Sequence, residues 1–475
     1  MKLKADLLKK YGLSGIKTVF MKISVRFLGG VDEIGANSCY LYLDGTGIVI
    51  DAGLHPNKRD KQAFPFYEAI ASEPVDLCVI THGHTDHIGA IPFLIKNQPQ
   101  VKLLASEATC DIVPIMLKDA ARLLKTEVAI QYGAEIMSLY KKEILEKISS
   151  VMEGIKYRKK FEYCGRSGRL NITITLYPAG HILGSASVLI ECGGYSILHT
   201  GDINLKDQKI LKKAGPPKHH LDCLITECTN VSDLNLKEYD YEIKSFAAFI
   251  NEVANANGSV LVPCFALGKT QETLKILYNL MRKGSIPSMP IYTAGIGKRI
   301  SRLYDINTYI EPMLNPGFEV SDIPQESIQY DALYTGKYFK ESSIVLVPSG
   351  MMNKGTLSYK LAQKWFRLKN FGIALVGFQD ESSPGYALLG SKENIEFEFG
   401  GNKVKRRCMF GKFRFTSHAL FDDLVSYIED VKPGKLFIIH GSPESGDRLA
   451  LEIRGRLTDT MTFIPKTAEE YILTE

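Results

Sequence analysis

Seven consecutive residues, Thr81 to His87, constrain the fold and chemistry of this chain more than any other stretch. They read Thr-His-Gly-His-Thr-Asp-His and directly follow an apolar run, Leu77 to Ile80, that is typical of a buried strand. Three imidazoles and a carboxylate at a strand end suit a borderline metal such as zinc. A polar loop with surplus histidines is the alternative. It is disfavoured because the chain has only 10 histidines and supplies further ligand-type residues elsewhere.

Other ligand-type side chains also follow predicted strands. Three of them stand just past the strands predicted at 48–50, 171–176 and 195–198, and these are Asp51, His181 and Asp202. A lone histidine is more often a structural residue than a ligand, but His181 lies in a glycine-flanked loop at a strand end. Several such strand ends in one α/β sheet favour a shared site at its edge.

The candidate ligands divide between two ions. The first would take His82, His84 and His181, the second would take Asp86, His87 and His440, and Asp202 would bridge them. Two divalent ions about 4 Å apart lower the pKa of a bridging water and stabilise the oxygens of a phosphoryl displacement. We therefore expect hydrolytic chemistry with two zinc ions, with manganese at one site as the alternative. Asp51 is expected to orient a metal-bound histidine from behind.

Length and composition bound the class of protein. The chain has 475 residues, so we expect two domains or one domain with a large insertion. A net charge of +5 permits an anionic partner without demonstrating one. Nine cysteines without a C-x-x-C pair argue against a disulfide framework. With no secretory apolar region and no apolar run long enough to span a bilayer, we expect a cytoplasmic protein without membrane contact.

Strand and helix patterns alternate as in an α/β protein. Strands are predicted first at 23–28, 38–43, 48–50, 77–80, 101–104, 171–176, 187–191, 195–198 and 223–226, with a mainly helical stretch at 107–153. A second α/β region has strands at 259–262, 290–293, 344–347 and 373–378 and a helix ending near Lys283. The C-terminal part has helices at 420–428 and 443–457 around a strand at 436–439. Residues 1–20 are expected to form a short amphipathic helix or a frayed extension.

These motifs resemble those of the metallo-β-lactamase superfamily, which are a strand-end Asp, H-x-H-x-D-H, a distant His and a bridging Asp. They correspond here to Asp51, His82 to His87, His181 and Asp202. More narrowly, the chain resembles the β-CASP nucleases, in which an α/β domain is inserted into the metallo-β-lactamase domain. Their additional motifs correspond to Glu227, His418 and His440, and the segments 263–272, 348–352 and 377–385 are similar to the inserted domain.

The resemblance implies an α/β fold with a four-layer α/β/β/α metallo-β-lactamase domain and an inserted α/β β-CASP domain. The first part of the metallo-β-lactamase domain is expected at 1–227, the β-CASP domain at 228–405 and the C-terminal part at 406–475. The insert would form a lid over the metals. RNA would enter the cleft between them, and this cleft is expected to open and close during turnover.

The resemblance also implies a zinc-dependent ribonuclease. A hydroxide bridging the two ions would attack the phosphodiester, His418 would donate a proton to the leaving oxygen, and Glu227 would hydrogen-bond His418. A histidine at position 440 is similar to the RNA-processing members of the family. Asp202, Glu227 and His418 are thus the expected catalytic residues. Residues expected to contact the substrate phosphate are Ser349, Gly350 and Ser417.

Two departures from the family pattern leave alternatives open. The chain reads Cys228-Thr229-Asn230 where the family often has Ser/Thr-Tyr-Gly, and Thr416 to Leu420 replaces Ser-Gly-His-Ala-Asp. A hydrolase of small esters or lactones is one alternative, although Glu227, His418 and the insert oppose it. A non-catalytic RNA-processing subunit is another, opposed by the complete ligand set. Endonucleolytic and 5′ exonucleolytic modes both stay open, and a homodimer is compatible with the sequence.

Overall fold

The computed structural model describes residues 21–474 except positions 59, 125–132, 235, 329–340, 382, 390–395 and 400–401. The helix or frayed extension expected at 1–20 therefore lies outside the described residues. In the ranges that the structure covers, no helix is both long and apolar enough to cross a bilayer.

The first large sheet has seven strands. In chain order six of them are β1 (Ile23–Gly29), β2 (Ser38–Leu43), β3 (Thr46–Ile50), β4 (Leu77–Val79), β5 (Lys102–Ser106) and β6 (Met152–Ile155). They lie side by side in that order, and a C-terminal strand, Glu470–Ile472, pairs with the outer edge of β1. The turn between β2 and β3 is Asp44-Gly45, and both residues have positive φ, 46° and 100°. Residues that tolerate positive φ allow the tight hairpin that the sequence predicts.

The second large sheet also has seven strands and faces the first. Its members are β7 (Lys160–Tyr163), β8 (Ile172–Pro178), β9 (Ala186–Cys192), β10 (Tyr195–His199), β11 (Cys223–Glu227), β20 (Lys435–Ile439) and β21 (Met461–Phe463), and the strand Glu470–Ile472 of the first sheet is β22. Side chains of both sheets, among them Phe27, Ile174 and Phe437, form one buried cluster between the sheets. This is sheet-on-sheet packing, in which each strand buries its inward face.

The smaller sheet belongs to an inserted unit. It contains β12 (Val260–Pro263), β13 (Ile291–Thr293), β14 (Glu326–Ser327), β15 (Ile344–Val347), β16 (Gly372–Val376) and β19 (Met409–Phe413). A separate hairpin consists of β17 (Glu396–Phe399) and β18 (Asn402–Lys405). All pairings within the six-stranded sheet are parallel. The carboxyl ends of its strands therefore share one edge, where loops can build a site.

Helices cover the outer faces of the sheets. They are α1 (Thr85–Ile88), α2 (Ile91–Asn97), α3 (Glu107–Leu124), α4 (Gly133–Leu139), α5 (Lys142–Ser150), α6 (Tyr239–Asn255), α7 (Lys269–Arg282), α8 (Gly297–Ile306), α9 (Leu357–Trp365), α10 (Pro384–Leu389), α11 (Phe421–Val431) and α12 (Pro443–Arg456). Short 3-10 helices are Asp60–Ala63, Tyr67–Ile70 and Val320–Asp322. Apolar residues of α2, α3 and α5 pack on the first sheet, and those of α11 and α12 pack on the second.

The two large sheets with their helices are called the metal domain below, and the unit built around the six-stranded sheet is called the insert. The two share a buried apolar cluster in which Ile112 and Leu183 of the metal domain join Leu267 and Tyr304 of the insert. The carboxylate of Glu272 on α7 accepts the backbone N–H groups of Lys209 and Ile210 in the metal domain. The insert is thus docked by both apolar packing and a buried polar tie.

The observed layers confirm the predicted α/β/β/α fold with an α/β insert. The mainly helical stretch predicted at 107–153 is wrong at its end, because Met152 begins β6 and pairs with Leu103 of β5. Pairing at a sheet edge overrides local propensity there. The division of the chain at 227/228 and 405/406 stays a prediction. Strand pairing puts β19 with the insert sheet, beyond residue 405.

Candidate metal centre

The histidine-rich loop leaves β4 and turns at once into α1. His84 is extended, with φ −71° and ψ 150°, and the next three residues wind into the first helical turn. Side chains alternate along an extended segment, so His82 and His84 can reach a common point. Asp86 and His87, on the helical turn, are directed towards a second point. The local switch from strand to helix therefore separates the motif into two ligand pairs.

The first pair is completed by His181 and Asp202. One ligand atom from each of the four residues lies within 4.8 Å of the others. Nδ1 of His84 is 3.1 Å from Nε2 of His82 and 3.1 Å from Nε2 of His181. Oδ2 of Asp202 is 3.5 Å from Nε2 of His82 and 3.6 Å from that of His181. Zinc bonds of 2.0–2.1 Å in a tetrahedron imply ligand separations of about 3.3 Å, so these four atoms fit one ion.

The second pair is completed by His440, and Asp202 lies between the two groups. Oδ2 of Asp86 is 3.7 Å from Nε2 of His87 and 3.5 Å from Nε2 of His440. Oδ1 of Asp202 lies 3.4 Å from Nε2 of His87 and 3.3 Å from Nδ1 of His440. This buried Oδ1 has no hydrogen-bond partner among the described residues. A buried carboxylate oxygen without a donor is satisfied by a cation, so the second group also fits a metal ion.

Neighbouring groups hold the ligand rings in place. Oδ2 of Asp51 accepts hydrogen bonds of 2.7 Å from Nδ1 of His87 and from the Thr81 hydroxyl, while Oδ1 accepts the Thr81 N–H. Nδ1 of His181 donates to the main-chain oxygen of Ser417 at 2.9 Å. In each case the bond through Nδ1 leaves Nε2 directed towards the ligand group. Such outer partners fix the tautomer and orientation of metal-binding histidines.

The electrostatics of the site favour neutral imidazoles in the first group and surround His87 of the second group with carboxylates. Burial lowers the pKa of His82, His84 and His181, which keeps these rings in the neutral form that binds metal. Burial also opposes charge on His87, but the carboxylates of Asp202, Asp51 and Asp86 outweigh it and raise its pKa. The carboxylates thus create a negative environment that attracts cations.

A histidine–glutamate pair stands beside the first group. Nδ1 of His418 lies 2.9 Å from both carboxylate oxygens of Glu227, whose oxygens also accept the N–H groups of Ile203 and Thr229. Burial alone would lower the pKa of His418, but the charge and hydrogen bonds of Glu227 outweigh it, so the pKa lies above its ordinary value. The ring centroids of His418 and His181 are 4.5 Å apart. Glu227 therefore favours the protonated form of this imidazole beside the ligand cluster.

The three residues expected to contact phosphate lie in two parts of the structure. Ser417 is adjacent to the ligand group through its contact with His181. Ser349 and Gly350 follow β15 and form hydrogen bonds within the insert. The Ser349 N–H donates to Ser358, and the Gly350 oxygen accepts Nε2 of Gln379 at 3.1 Å. The structure thus brings Ser417 to the candidate site and leaves Ser349 and Gly350 in the wall of the insert.

Three further residues support the site and were not predicted. The hydroxyl of Thr229 lies 3.0 Å from Nδ1 of His440, and Nδ2 of Asn230 donates to the main-chain oxygen of His418 at 3.2 Å. Both belong to the segment in which the sequence departs from the family pattern. The third is Lys269, whose Nζ donates to the Ser417 hydroxyl at 3.1 Å. The sequence signal for Lys269 was a basic residue at the start of a helix, next to Gly268 and a few residues after a strand.

Comparison with known families places three matches along the chain. The profile of the metallo-beta-lactamase superfamily matches residues 33–229, and that of the Beta-Casp domain matches residues 270–388. The profile of the Zn-dependent metallo-hydrolase RNA specificity domain matches residues 403–465. The matched ranges contain the histidine-rich loop, the central part of the insert and His440 in that order.

Individual relatives agree with these matches. The chain is 30% identical over 455 residues to the RNase J-like protein of Methanocaldococcus jannaschii, covering 93% of this chain and 98% of that protein. It is 28% identical over 442 residues to cleavage and polyadenylation specificity factor 73 of Drosophila melanogaster. That alignment covers 91% of this chain but 62% of the relative, so the chain spans less than two thirds of the fly protein.

A solved structure supports the fold. The chain is similar to a protein of unknown function from Enterococcus faecalis V583, with a TM-score of 0.56 and 15% sequence identity. The similarity covers 95% of this chain and 100% of that chain, so the metal domain and the insert are both included in it.

Replacing Asp51 with Asn tests how the ligands are held. The amide removes a negative charge and one acceptor from His87 and Thr81, so we expect metal affinity to fall by about 10- to 100-fold. Metal content after titration with a chelator measures this loss. Asp222→Asn is the matched control, because Asp222 accepts Ser196 within the second sheet. Equal metal retention in the Asp51 and Asp222 variants would contradict the assigned role.

Proposed function

The chain belongs to the β-CASP family of the metallo-β-lactamase superfamily, and on this premise we propose that it is a zinc-dependent ribonuclease that hydrolyses RNA phosphodiester bonds. The carrying observation is the convergence of two ligand groups on Asp202 next to the Glu227–His418 pair. Both the RNA specificity profile and the similarity to an RNase J-like protein support RNA as the substrate.

Two metal ions are part of the proposal. His82, His84 and His181 would hold one ion, Asp86, His87 and His440 the other, and Asp202 would contact both. When bound, the ions lower the pKa of a water molecule to supply hydroxide as nucleophile and stabilise charge on the phosphate oxygens. Nitrogen and oxygen donors at near-tetrahedral spacing favour zinc, with manganese at one site as the alternative.

The proton needed by the leaving oxygen would come from His418. Glu227 engages Nδ1, which leaves the N–H at Nε2 free to face a substrate phosphate. The pKa of His418 lies above its ordinary value because of Glu227, which favours the protonated form of the ring. The hydrogen bonds that Glu227 accepts from the N–H groups of Ile203 and Thr229 fix the position of its carboxylate. The Glu227–His418 pair is therefore preorganised for proton donation. Removing such a donor slows hydrolysis by about 10²–10⁴-fold.

The cleft between the metal domain and the insert would receive the RNA strand. The main-chain oxygen of Leu267 in the insert comes to 3.5 Å from Nε2 of His84, so the insert forms one wall of the site. Ser349, Gly350 and Ser417 are retained as proposed phosphate contacts. A cytoplasmic location and a homodimer also stay predictions.

RNA labelled separately at each end tests the function. We expect the metal-loaded chain to cleave it and the His418→Ala variant to lose about 10²–10⁴-fold in rate. Internal fragments would indicate endonucleolytic cleavage, and mononucleotides released from the 5′ end would indicate exonucleolytic cleavage. If the metal-loaded chain leaves RNA intact but hydrolyses a simple ester or lactone, the ribonuclease assignment is wrong.

The pH dependence of cleavage tests the proton donor. His418 acts in its protonated form, so activity is present below its pKa and is lost as the pH rises through it. Glu227 raises that pKa. Glu227→Gln should therefore move the descending limb of the rate profile to lower pH, by about one unit or more. Single-turnover cleavage rates measured across the neutral range give the limb for both proteins. An unchanged limb in the variant would argue against His418 as the acid.

A further inference from the structure

A partly buried cation next to the candidate site lacks a negative partner. Lys269 begins α7, and its Nζ donates to the Ser417 hydroxyl at 3.1 Å and to the main-chain oxygen of Phe415. Both acceptors are uncharged. Within the described ranges no carboxylate oxygen lies within 4.0 Å of this ammonium. An ammonium has three N–H donors, so one of them still has no protein acceptor in these contacts.

Such a charge is costly to hold partly out of water. Burial lowers the pKa of Lys269 to about 8, and the distant charge of Glu272 only partly opposes this. Buried charges are normally paired or bound to an ion, because transfer out of water costs free energy that neutral acceptors repay poorly. An anionic ligand that arrives at this point would supply the missing partner.

The position of Lys269 indicates which ligand that would be. Ser417, which accepts its hydrogen bond, also accepts Nδ1 of His181 through its main-chain oxygen and directly precedes His418. The positive charge of Lys269 acts on the pKa of His418 in the lowering direction, as expected for neighbouring cations. The ammonium thus lies on the His418 side of the cleft.

A glycine lies beside the stem of Lys269. Gly377 follows β16 and has φ 113°, a conformation that side chains rarely adopt. A Cβ at this position would lie 3.7 Å from Cε of Lys269 and 3.7 Å from the ring of Phe265. The lysine stem therefore lies beside the Gly377 backbone and the ring of Phe265.

We propose that Lys269 binds a phosphate of the RNA strand, the one next to the scissile phosphate on the His418 side. This inference rests on the proposed function. Ser417 separates the ammonium from the ligand atoms, which leaves the scissile phosphate to the ligand groups and His418. Lys269 is then a substrate-binding residue whose counter-ion is the substrate itself.

A purely structural role for Lys269 predicts different behaviour. If the lysine only ties Phe415 and Ser417 to α7, its loss would disturb cleavage without altering the dependence of binding on salt. A lost phosphate contact instead lowers the slope of log KM against log salt by about 0.7 for a single strand. The slope separates a phosphate contact from a positioning role.

The variant Lys269→Met, which keeps the length of the stem, is compared with Lys269→Arg and with Lys275→Met. Lys275 is a matched control, since it lies on the same helix with its Nζ 3.2 Å from the ring centroid of Phe318. For Lys269→Met we expect KM to rise by about 10- to 100-fold, with unchanged metal content and the smaller salt slope. Lys269→Arg should keep most of the slope, and Lys275→Met should behave as wild type.

Substrates carrying one uncharged methylphosphonate linkage, moved along the strand, test the contact without altering the protein. When the uncharged linkage is next to the scissile bond, kcat/KM of the wild-type protein should fall by the same factor as the Lys269→Met substitution causes on normal RNA. The same linkage should lower kcat/KM of the Lys269→Met variant by little more. The proposal is overturned if the methylphosphonate lowers kcat/KM of wild type and of Lys269→Met equally at every linkage. It is also overturned if Lys269→Met keeps the wild-type KM and salt slope while wild type cleaves RNA. Absence of cleavage by wild type would instead reject the proposed function.

Discussion

The whole site depends on how one buried carboxylate, Asp202, is held. It is 3% exposed, and its two oxygens face different ligand groups. Burial alone would raise its pKa, but the nearby imidazoles of His440 and His87 outweigh burial and lower it. A desolvated, ionised carboxylate is stable only when positive charge surrounds it. The strand ends that carry those histidines therefore have to meet around Asp202.

The insert is part of this arrangement, because its residues reach the ligand groups directly. Leu267 approaches His84, and Lys269 holds Ser417, which in turn orients His181. Glu272 ties the same helix to the backbone of Lys209 and Ile210. One helix of the insert thus connects substrate cleft, proton donor and metal ligands. The resemblance implies that the cleft opens. Such an opening would either break these contacts or move both of their partners together.

The ligand set could be predicted from sequence because the ligands lie in short segments that follow apolar strands, and such segments can be recognised locally. His82, His181 and Asp202 all follow this rule. His82 follows a strand of the first sheet and the other two follow strands of the second, so the packing of the two sheets brings these positions together. Contacts such as those of Lys269 and Thr229 are different. They join residues more than a hundred positions apart and carry no local periodicity. The short edge strand β6 was missed for a related reason, since only pairing with β5 defines it.

The most direct test counts the metal ions bound to wild type and to Asp202→Asn, with RNA cleavage measured on the same samples. If Asp202 bridges two ions, wild type should hold about two ions per chain, and the variant should hold fewer and lose cleavage. The Asn variant keeps the shape of the side chain but not its charge. An Asp202→Asn protein that retains both ions and cleaves RNA at the wild-type rate would contradict the central role of this carboxylate.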